Sequence, residues 1–281
     1  MTIAELEQIF TDQQAFRQLT ESIRPGSTVQ LASLVGSSLS LVAHGAIARL
    51  GGVHVLVAED RDAAGYLYND LYPLTGGEGL FFFPTGYKRS IQHGQEDPSG
   101  LVQRTTALNA LRSAADKPLI LCTYPEALTE KVADRERLSD SVLKLRRGDN
   151  LSTAFVEEAL RECRFERVEF VCEPGQYSVR GGIVDIFSYS DNKPYRIDFF
   201  GDEIDSIRPF DVGTQLSTGT LDEVEIVPNL KTVTSVEHRV SLARFAGEVT
   251  YWIADGDYTL KRFDDIRTKI LGDLDEPSSI D

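Results

Sequence analysis

The sequence predicts an α/β fold in which a parallel-sheet domain is interrupted by a smaller α+β domain with an antiparallel sheet. Over roughly the first 130 residues, short apolar strands alternate with helical segments, as in a parallel sheet covered by helices. From about residue 168, short strands follow one another with Gly, Pro, Asn and Asp between them, which is typical of an antiparallel meander. A last strand and helix, 249–254 and 258–271, cannot form a core alone, so we expect them to return to the first sheet.

The elements of the first domain are predicted from apolar periodicity and from the residues that interrupt it. Residues 3–23 are predicted as one helix, because apolar side chains recur at helical spacing until an Arg-Pro-Gly-Ser break. The predicted strands are 28–34, 53–58, 79–83 and 119–124, and the predicted helices between them are 39–50, 62–71 and 99–114. Gly51 and Gly52 are the expected stop signal of the second helix.

The second domain begins with an amphipathic helix, 152–163, which has a Ser/Thr cap and glutamates downstream. The predicted strands that follow are 168–172, 177–180, 183–187, 195–200 and 203–207. We therefore divide the chain into 1–138, 139–229 and a return segment 230–281, whose acidic tail is expected to be frayed. Because that tail is unlike a natural domain end, we expect the chain to be part of a longer protein.

The amino-acid composition argues against nucleic acid, metal ions and membranes as partners of this chain. The 281 residues include 29 basic and 44 acidic side chains, a net charge of −15 that disfavours nucleic acid as a partner of the whole surface. The three cysteines and four histidines show no ligand spacing, so neither a disulfide framework nor a metal site is predicted. With no signal-peptide pattern and no run of 18 apolar residues, we expect a monomeric cytoplasmic protein without membrane contact. Acidic residues interleave the one basic cluster, which we expect to be a solvated face: Lys131, Arg135, Arg137, Lys144, Arg146 and Arg147.

The stretch LVGSSLSLVAH, residues 34–44, occupies the place of a phosphate-binding loop between a predicted strand and a predicted helix. A working loop has the pattern G-x-x-x-x-G-K-[ST], in which the lysine neutralises phosphate charge. Here leucine stands at the lysine position, so we predict no catalytic residue, although weak anion binding by the helix start stays open. The residues of this degenerate loop are Gly36, Ser38, Leu39 and Ser40. Glu59 and Asp60, after the next strand, are interpreted as a strand end and helix cap rather than a magnesium site.

Two segments of the second domain, 173–187 and 195–211, resemble a signature shared by two bacterial excision-repair families, together with 143–152 upstream. These families are the helicase subunit UvrB and the amino-terminal module of the transcription-repair coupling factor, Mfd. The resemblance extends more loosely over the first domain. It implies a degenerate RecA-like, helicase-like lobe with an inserted α+β domain, arranged as the UvrB-like domains 1a-2-1b.

Two departures from UvrB favour the coupling-factor module. UvrB is similar through the loop but keeps the lysine that Leu39 replaces, and segment 83–97, with the single tyrosine Tyr87, is too short for the DNA-clamping hairpin of UvrB. The resemblance then implies a module without its own ATPase or cofactor. It also implies that ATP and magnesium belong to a translocase motor elsewhere in the full-length protein, whose other domains contact RNA polymerase and DNA. The alternative is a nucleotide-binding helicase lobe of a UvrB-like repair protein.

The resemblance also implies a partner, the excision-repair protein UvrA, which such a module delivers to lesions where RNA polymerase has stalled. It further implies that the carboxy-terminal part of the full-length protein masks the UvrA-binding surface. The family's contact arginines map to Arg167 and Arg180, while Ser178 replaces a third arginine. Two structural alternatives stay open: Arg180 pairs across strands with Asp185 or Asp198, or Arg167 only offsets a helix dipole. Three apolar residues complete the predicted patch, with burial in the core as the alternative for the last two: Tyr177, Ile183 and Phe187.

Overall fold

The computed structural model describes residues 3–86, 98–113, 117–230 and 236–275. The chain forms two compact units. The first comprises Met1–Thr85, Ser113–Glu130 and Ala246–Asp281, and the second Gly86–Arg112 and Lys131–Phe245. The predicted domain boundaries at 138/139 and 229/230 do not coincide with these limits and stay predictions. The expectation about Tyr87 falls on residues outside the described ranges.

The strands and helices of the described residues are as follows. The strands are β1 (Val53–Val57), β2 (Leu80–Phe82), β3 (Leu119–Thr123), β4 (Val132–Ala133), β5 (Leu143–Arg146), β6 (Glu166–Arg167), β7 (Gln176–Arg180), β8 (Ile183–Ile186), β9 (Tyr195–Phe200), β10 (Glu203–Pro209), β11 (Glu223–Ile226), β12 (Arg239–Val240) and β13 (Val249–Ile253). The helices are α1 (Ile3–Thr11), α2 (Gln14–Ser22), α3 (Ser38–Leu50), α4 (Arg61–Thr75), α5 (Pro98–Ser113), α6 (Pro125–Thr129), α7 (Arg135–Asp140), α8 (Thr153–Glu162), α9 (Leu242–Ala246) and α10 (Gly256–Asp275).

The first unit is built on a parallel sheet with the strand order β13-β1-β3-β2. Leu56 of β1 lies beside Cys122 of β3 and Trp252 of β13, so the last strand joins the first sheet as the sequence predicted. The core of this unit gathers buried side chains from the sheet and helices: Phe16, Leu19, Val42, Ala43, Ala46, Ile47, Leu56, Leu71, Leu80, Ile120, Cys122 and Trp252.

Two predictions for the first unit are wrong. Residues 28–34 form no strand and lie mostly exposed, because β13 and β3 take both edges of β1, and the described residues offer 28–34 no ladder in which to satisfy its backbone groups. The predicted helix 3–23 is two helices, since Gln13 adopts an extended conformation at the start of α2.

The second unit contains a five-stranded sheet with the order β10-β9-β8-β7-β6. The four strands β7 to β10 form the predicted antiparallel meander. The edge strand differs from the prediction, because it runs parallel to β7 and is the short β6 rather than 168–172. Two further antiparallel pairs, β5 with β11 and β4 with β12, complete the mixed α/β architecture.

Helix α8 packs an apolar stripe against one face of this sheet. Ser152 caps the helix by accepting a hydrogen bond from the Phe155 amide at 3.1 Å, as the sequence predicted. Val156 and Leu160 are buried against Tyr177 and Ile186 on the sheet, so one sheet face is the core of the unit and the opposite face is free to carry polar groups. None of the described helices combines the length and the apolar character required to cross a bilayer.

Candidate protein-binding site

Segment 34–44 contains the start of α3 and offers no lysine side chain to a phosphate. Gly36 has a positive φ of 58°, and the Ser38 hydroxyl accepts a hydrogen bond from the Val35 amide at 2.8 Å. Ser40 is 1% exposed, and its hydroxyl points to Asp70 at 3.4 Å. The hydroxyl at the pattern position of the magnesium ligand is therefore directed into the unit, and Leu39 beside it is apolar and half-buried.

Of the acidic pair Glu59 and Asp60, the second residue has a structural role. Asp60 accepts a hydrogen bond from the Ala63 amide at 2.9 Å and caps α4, which confirms the interpretation of this residue as a helix cap.

In the second unit, alternation along β7 divides the predicted contact residues between the two sheet faces. Tyr177 is 2% exposed and packs into the core under α8. Ser178 and Arg180 point to the opposite face, where β8 contributes Asp185 and β9 contributes Arg196.

Asp185 is the centre of that face. Its carboxylate is 1% exposed and accepts hydrogen bonds from Arg196 Nε at 2.8 Å and Nη2 at 2.9 Å. Arg180 contacts the other side of the same carboxylate through Nη2. The bond to Asp185 also raises the pKa of Arg196 above its ordinary value. Two guanidinium groups share one buried carboxylate, which leaves this cluster with one surplus positive charge.

Arg180 is held by further contacts while its side chain stays 37% exposed. Nη1 donates to the Glu169 carbonyl at 2.8 Å and to the Ser178 hydroxyl at 3.3 Å, and the guanidinium carbon lies 5.5 Å from the centre of the Phe170 ring. The cross-strand pairing of Arg180 with Asp185 is thereby confirmed, whereas Asp198 pairs with Arg208 instead. Arg180 is therefore a structural residue that still presents a guanidinium edge to solvent.

Arg167 lies on the edge strand β6 and is 59% exposed. Its Nη1 is 2.9 Å from Glu157 Oε1 on α8, and Arg161 reaches the same oxygen at 3.7 Å. Because Arg167 is in register with Tyr177, its side chain leaves the sheet on the α8 side, away from Arg180. The two predicted contact arginines thus lie on opposite faces near one sheet edge, and each shares a carboxylate with a second arginine.

The other predicted patch residues do not form an exposed surface. Tyr177, Ser178 and Phe187 are 2%, 2% and 6% exposed, and Ile183 is half-buried. Ser178 donates to the Glu169 carbonyl at 3.0 Å, and Phe187 packs with Val171. Ser178 supports Arg180 from inside, whereas Phe187 belongs to the core, as its alternative anticipated.

Sequence reasoning missed Phe170, which is 57% exposed beside Arg180. It assigned 168–172 to a strand, and within a strand an aromatic side chain gives no separate signal. The short extent of β6 is what leaves Phe170 outside the ladder.

All six residues of the basic cluster are exposed, in agreement with its interpretation as an ordinary solvated face. Lys144 lies 2.8 Å from Glu225, and Arg146 lies 2.8 Å from Glu223. Among the described residues, no group of three or more His, Cys, Asp and Glu side chains has an arrangement that would hold a metal ion.

Comparisons with known proteins match the part of the sequence that contains this sheet to a protein-family model. Residues 143–231 match the model of the UvrB interaction domain. A transcription-repair-coupling factor of Myxococcus xanthus is 29% identical over 234 residues, which cover 80% of this chain and 19% of that protein. A UvrABC system protein B of Streptococcus suis is 27% identical over 250 residues, covering 84% and 38%, respectively.

A second coupling factor, from Haemophilus influenzae, is 35% identical over 125 residues, or 44% of this chain and 11% of that protein. The chain therefore spans well under two thirds of the length of these relatives. Residues 143–231 thus match the UvrB interaction domain, and the chain is similar to transcription-repair-coupling factors and to UvrB proteins, which is consistent with a UvrB-homology module of the coupling factor.

Proposed function

We propose that the chain is a non-catalytic adaptor module of a transcription-repair-coupling factor. In this proposal residues 143–231 bind the excision-repair protein UvrA and recruit it to RNA polymerase stalled at a lesion. The observation that carries the proposal is the position of Arg180, an exposed and pre-oriented arginine inside the segment that matches the UvrB interaction domain. The names of the relatives, a coupling factor and a UvrABC component, support a role in excision repair.

Arginine chemistry supports a protein partner at this edge. A guanidinium carries five N–H donors in a rigid fork that matches carboxylates, and arginine is enriched at binding hot spots. Glu169, Ser178 and Asp185 take three donors of Arg180, and within the described part of the chain two remain for a partner. An acidic surface on UvrA is the chemistry that such a group would recognise.

The architecture proposed for the first unit is a degenerate RecA-like lobe interrupted by the interaction domain. The parallel sheet supports it, because β13 pairs with β1 although the interaction domain lies between them in sequence. The boundaries 1–138, 139–229 and 230–281 belong to this proposal.

The absence of catalysis in this segment is also part of the proposal. Leu39 in place of the lysine supports it, and so does the inward Ser40 hydroxyl. ATP, magnesium and translocation along DNA are assigned to a motor elsewhere in the full-length protein. The carboxy-terminal part of that protein is proposed to mask the UvrA surface until the motor engages RNA polymerase.

Isothermal titration of purified UvrA into this chain tests the proposal. We expect saturable one-site binding that survives 150 mM salt. A chain in which Arg146→Ala removes an exposed arginine outside the site serves as the control and is expected to bind like the wild type. No heat of binding and no co-elution of UvrA with the folded wild-type chain would refute the proposed function.

A further inference from the structure

The stretch between β6 and β7 holds an exposed aromatic side chain on a firmly anchored backbone. Phe170 is 57% exposed, whereas Val171 next to it is fully buried against Phe187 and Phe210. The Glu169 carbonyl accepts two hydrogen bonds from β7, one from Ser178 and one from Arg180. The ring is therefore presented outward by a fixed chain segment rather than by a free loop.

Downstream of the ring, the backbone is fixed as well. The amides of Cys172 and Glu173 donate to the side-chain oxygen of Gln176 at 2.9 and 3.0 Å. Because both flanks are bonded, little backbone order remains to be gained when a partner covers the ring, and that lowers the entropic cost of binding.

Arg180 joins Phe170 in one surface. Its guanidinium carbon lies 5.5 Å from the ring centre, within the range of a cation–π contact. Asp185 fixes the guanidinium from below, and Arg196 shares that carboxylate, so the positive charge beside the ring is not fully neutralised. An apolar face and two N–H donors that no described residue occupies thus lie side by side at the sheet edge.

We propose that Phe170 is the apolar anchor of the partner surface and that Phe170 and Arg180 together receive an acidic side chain flanked by an apolar one. The inference rests on the proposed function, since the partner is taken to be UvrA. Charge complementarity identifies this occupant, because the exposed arginine donors favour an anion and the exposed ring favours an apolar group beside that anion. Aromatic and arginine side chains are the residues most enriched at binding hot spots, which is the chemistry of this pair.

The same unit supplies matched controls. Phe200 is 83% exposed at the end of β9, and Phe155 is 51% exposed on α8. Among the described residues, neither ring has an arginine guanidinium over it, so each tests exposure alone. If exposed phenylalanine area in general strengthened binding, all three alanine variants would lose affinity.

Titration of UvrA into the Phe170→Ala chain tests the inference. We expect the dissociation constant to rise about tenfold or more, the scale of a hot-spot side chain, with the melting temperature unchanged. Phe200→Ala and Phe155→Ala are expected to stay within about threefold of the wild type, within the range of near-neutral contacts. Phe170→Leu, which keeps apolar area but loses the ring, is expected to fall between the wild type and Phe170→Ala.

A double-mutant cycle with Phe170→Ala and Arg180→Lys separates a joint site from two independent ones. We expect the combined loss to be smaller than the sum of the single losses, because each side chain positions the other. If UvrA binds the wild type and Arg180→Lys weakens binding while Phe170→Ala matches Phe200→Ala, the inference is wrong and the proposed function stands. If UvrA does not bind the wild type at all, both are wrong.

Discussion

The start of α3 and the edge formed by β6 and β7 are the two places where the sequence drew attention to a binding site. At the start of α3, the Ser40 hydroxyl points to Asp70, and the most exposed large apolar residue of segment 34–44 is Val35, at 82%. At the sheet edge, by contrast, the buried carboxylate of Asp185 holds Arg180 with its guanidinium edge exposed to solvent. The comparison teaches that function belongs to side chains placed on a fold rather than to the fold itself.

The largest expected effect comes from removing the carboxylate that orders the sheet edge. We expect Asp185→Ala to lower the free energy of unfolding by about 3 kcal/mol, because breaking a buried ion pair strands the charge left behind. Chemical denaturation of the purified chain measures this. Glu223→Ala, which removes a 68%-exposed partner of Arg146, is the control and is expected to be near neutral. A loss below about 1 kcal/mol for Asp185→Ala would show that the carboxylate does not order this face.

The next effect concerns affinity rather than stability. We expect Arg180→Lys to weaken UvrA binding about thirtyfold, or about 2 kcal/mol, because lysine keeps the charge near Asp185 but loses the planar fork. Adding Arg167→Ala is expected to weaken binding further without unfolding the domain, since Arg161 remains within 3.7 Å of Glu157. Titration calorimetry measures both, with Arg146→Ala as the matched control. If the variant with both Arg180→Lys and Arg167→Ala bound UvrA with unchanged affinity, the β6–β7 edge would not be part of the binding surface.

A third expectation concerns the sheet of the first unit. His54 is fully buried; its Nε2 donates to the Gly51 carbonyl at 2.8 Å, and its Nδ1 accepts from Trp252 Nε1 at 3.1 Å. Burial lowers the pKa of His54 below 6.5. The unfolded chain therefore binds the proton first, and stability falls as the pH drops from about 6.5 towards the lower pKa of the folded state, by at most about 1.4 kcal/mol per pH unit.

The single tryptophan, Trp252, reports the effect directly through its fluorescence during unfolding at pH 7 and pH 5.5. The His54→Phe variant should lose this part of the pH dependence, while replacement of the half-exposed His238 should keep it. An identical pH profile for His54→Phe and the wild type would show that His54 does not couple to folding.

At the degenerate loop we expect that nucleotide has no effect on thermal stability. Addition of magnesium and ATP should leave the melting temperature of the chain unchanged, because the loop lacks a lysine and Ser40 is turned inward. Binding at a hundredfold excess over the dissociation constant would stabilise the chain by about 2.7 kcal/mol, which a thermal scan resolves. Stabilisation of that size would revive the alternative of a nucleotide-binding helicase lobe.

Local patterns predicted most of the framework. Helices α3, α4, α5, α8 and α10 follow from apolar periodicity with caps and stop signals, and β7 to β10 follow from alternation with turn residues between them. The wrong strands have a common cause. Residues 28–34 and 168–172 have strand-like composition, but a strand forms only where a neighbour completes its hydrogen bonds, and the identity of that neighbour is not written in the local sequence.

The site was predictable only in part. The resemblance pointed to Arg167 and Arg180, and the register of β7 and β8 then settled which aspartate Arg180 contacts. Burial of Tyr177 and exposure of Phe170 depend on which sheet face α8 covers and where β6 ends. The burial of Tyr177 and the exposure of Phe170 both depend on packing between segments that are distant in sequence, so no local sequence pattern predicts them.

The sharing of each carboxylate by two arginines has a kinetic consequence. A chain of net charge −15 repels an acidic partner at long range, while the surplus positive charge at the sheet edge attracts it only within about one Debye length. Encounter should therefore be slow at low ionic strength and should speed up when moderate salt screens the distant charges. Once contact forms, the desolvated arginine contacts are screened much less, so the lifetime of the complex should depend on salt far less than its rate of formation.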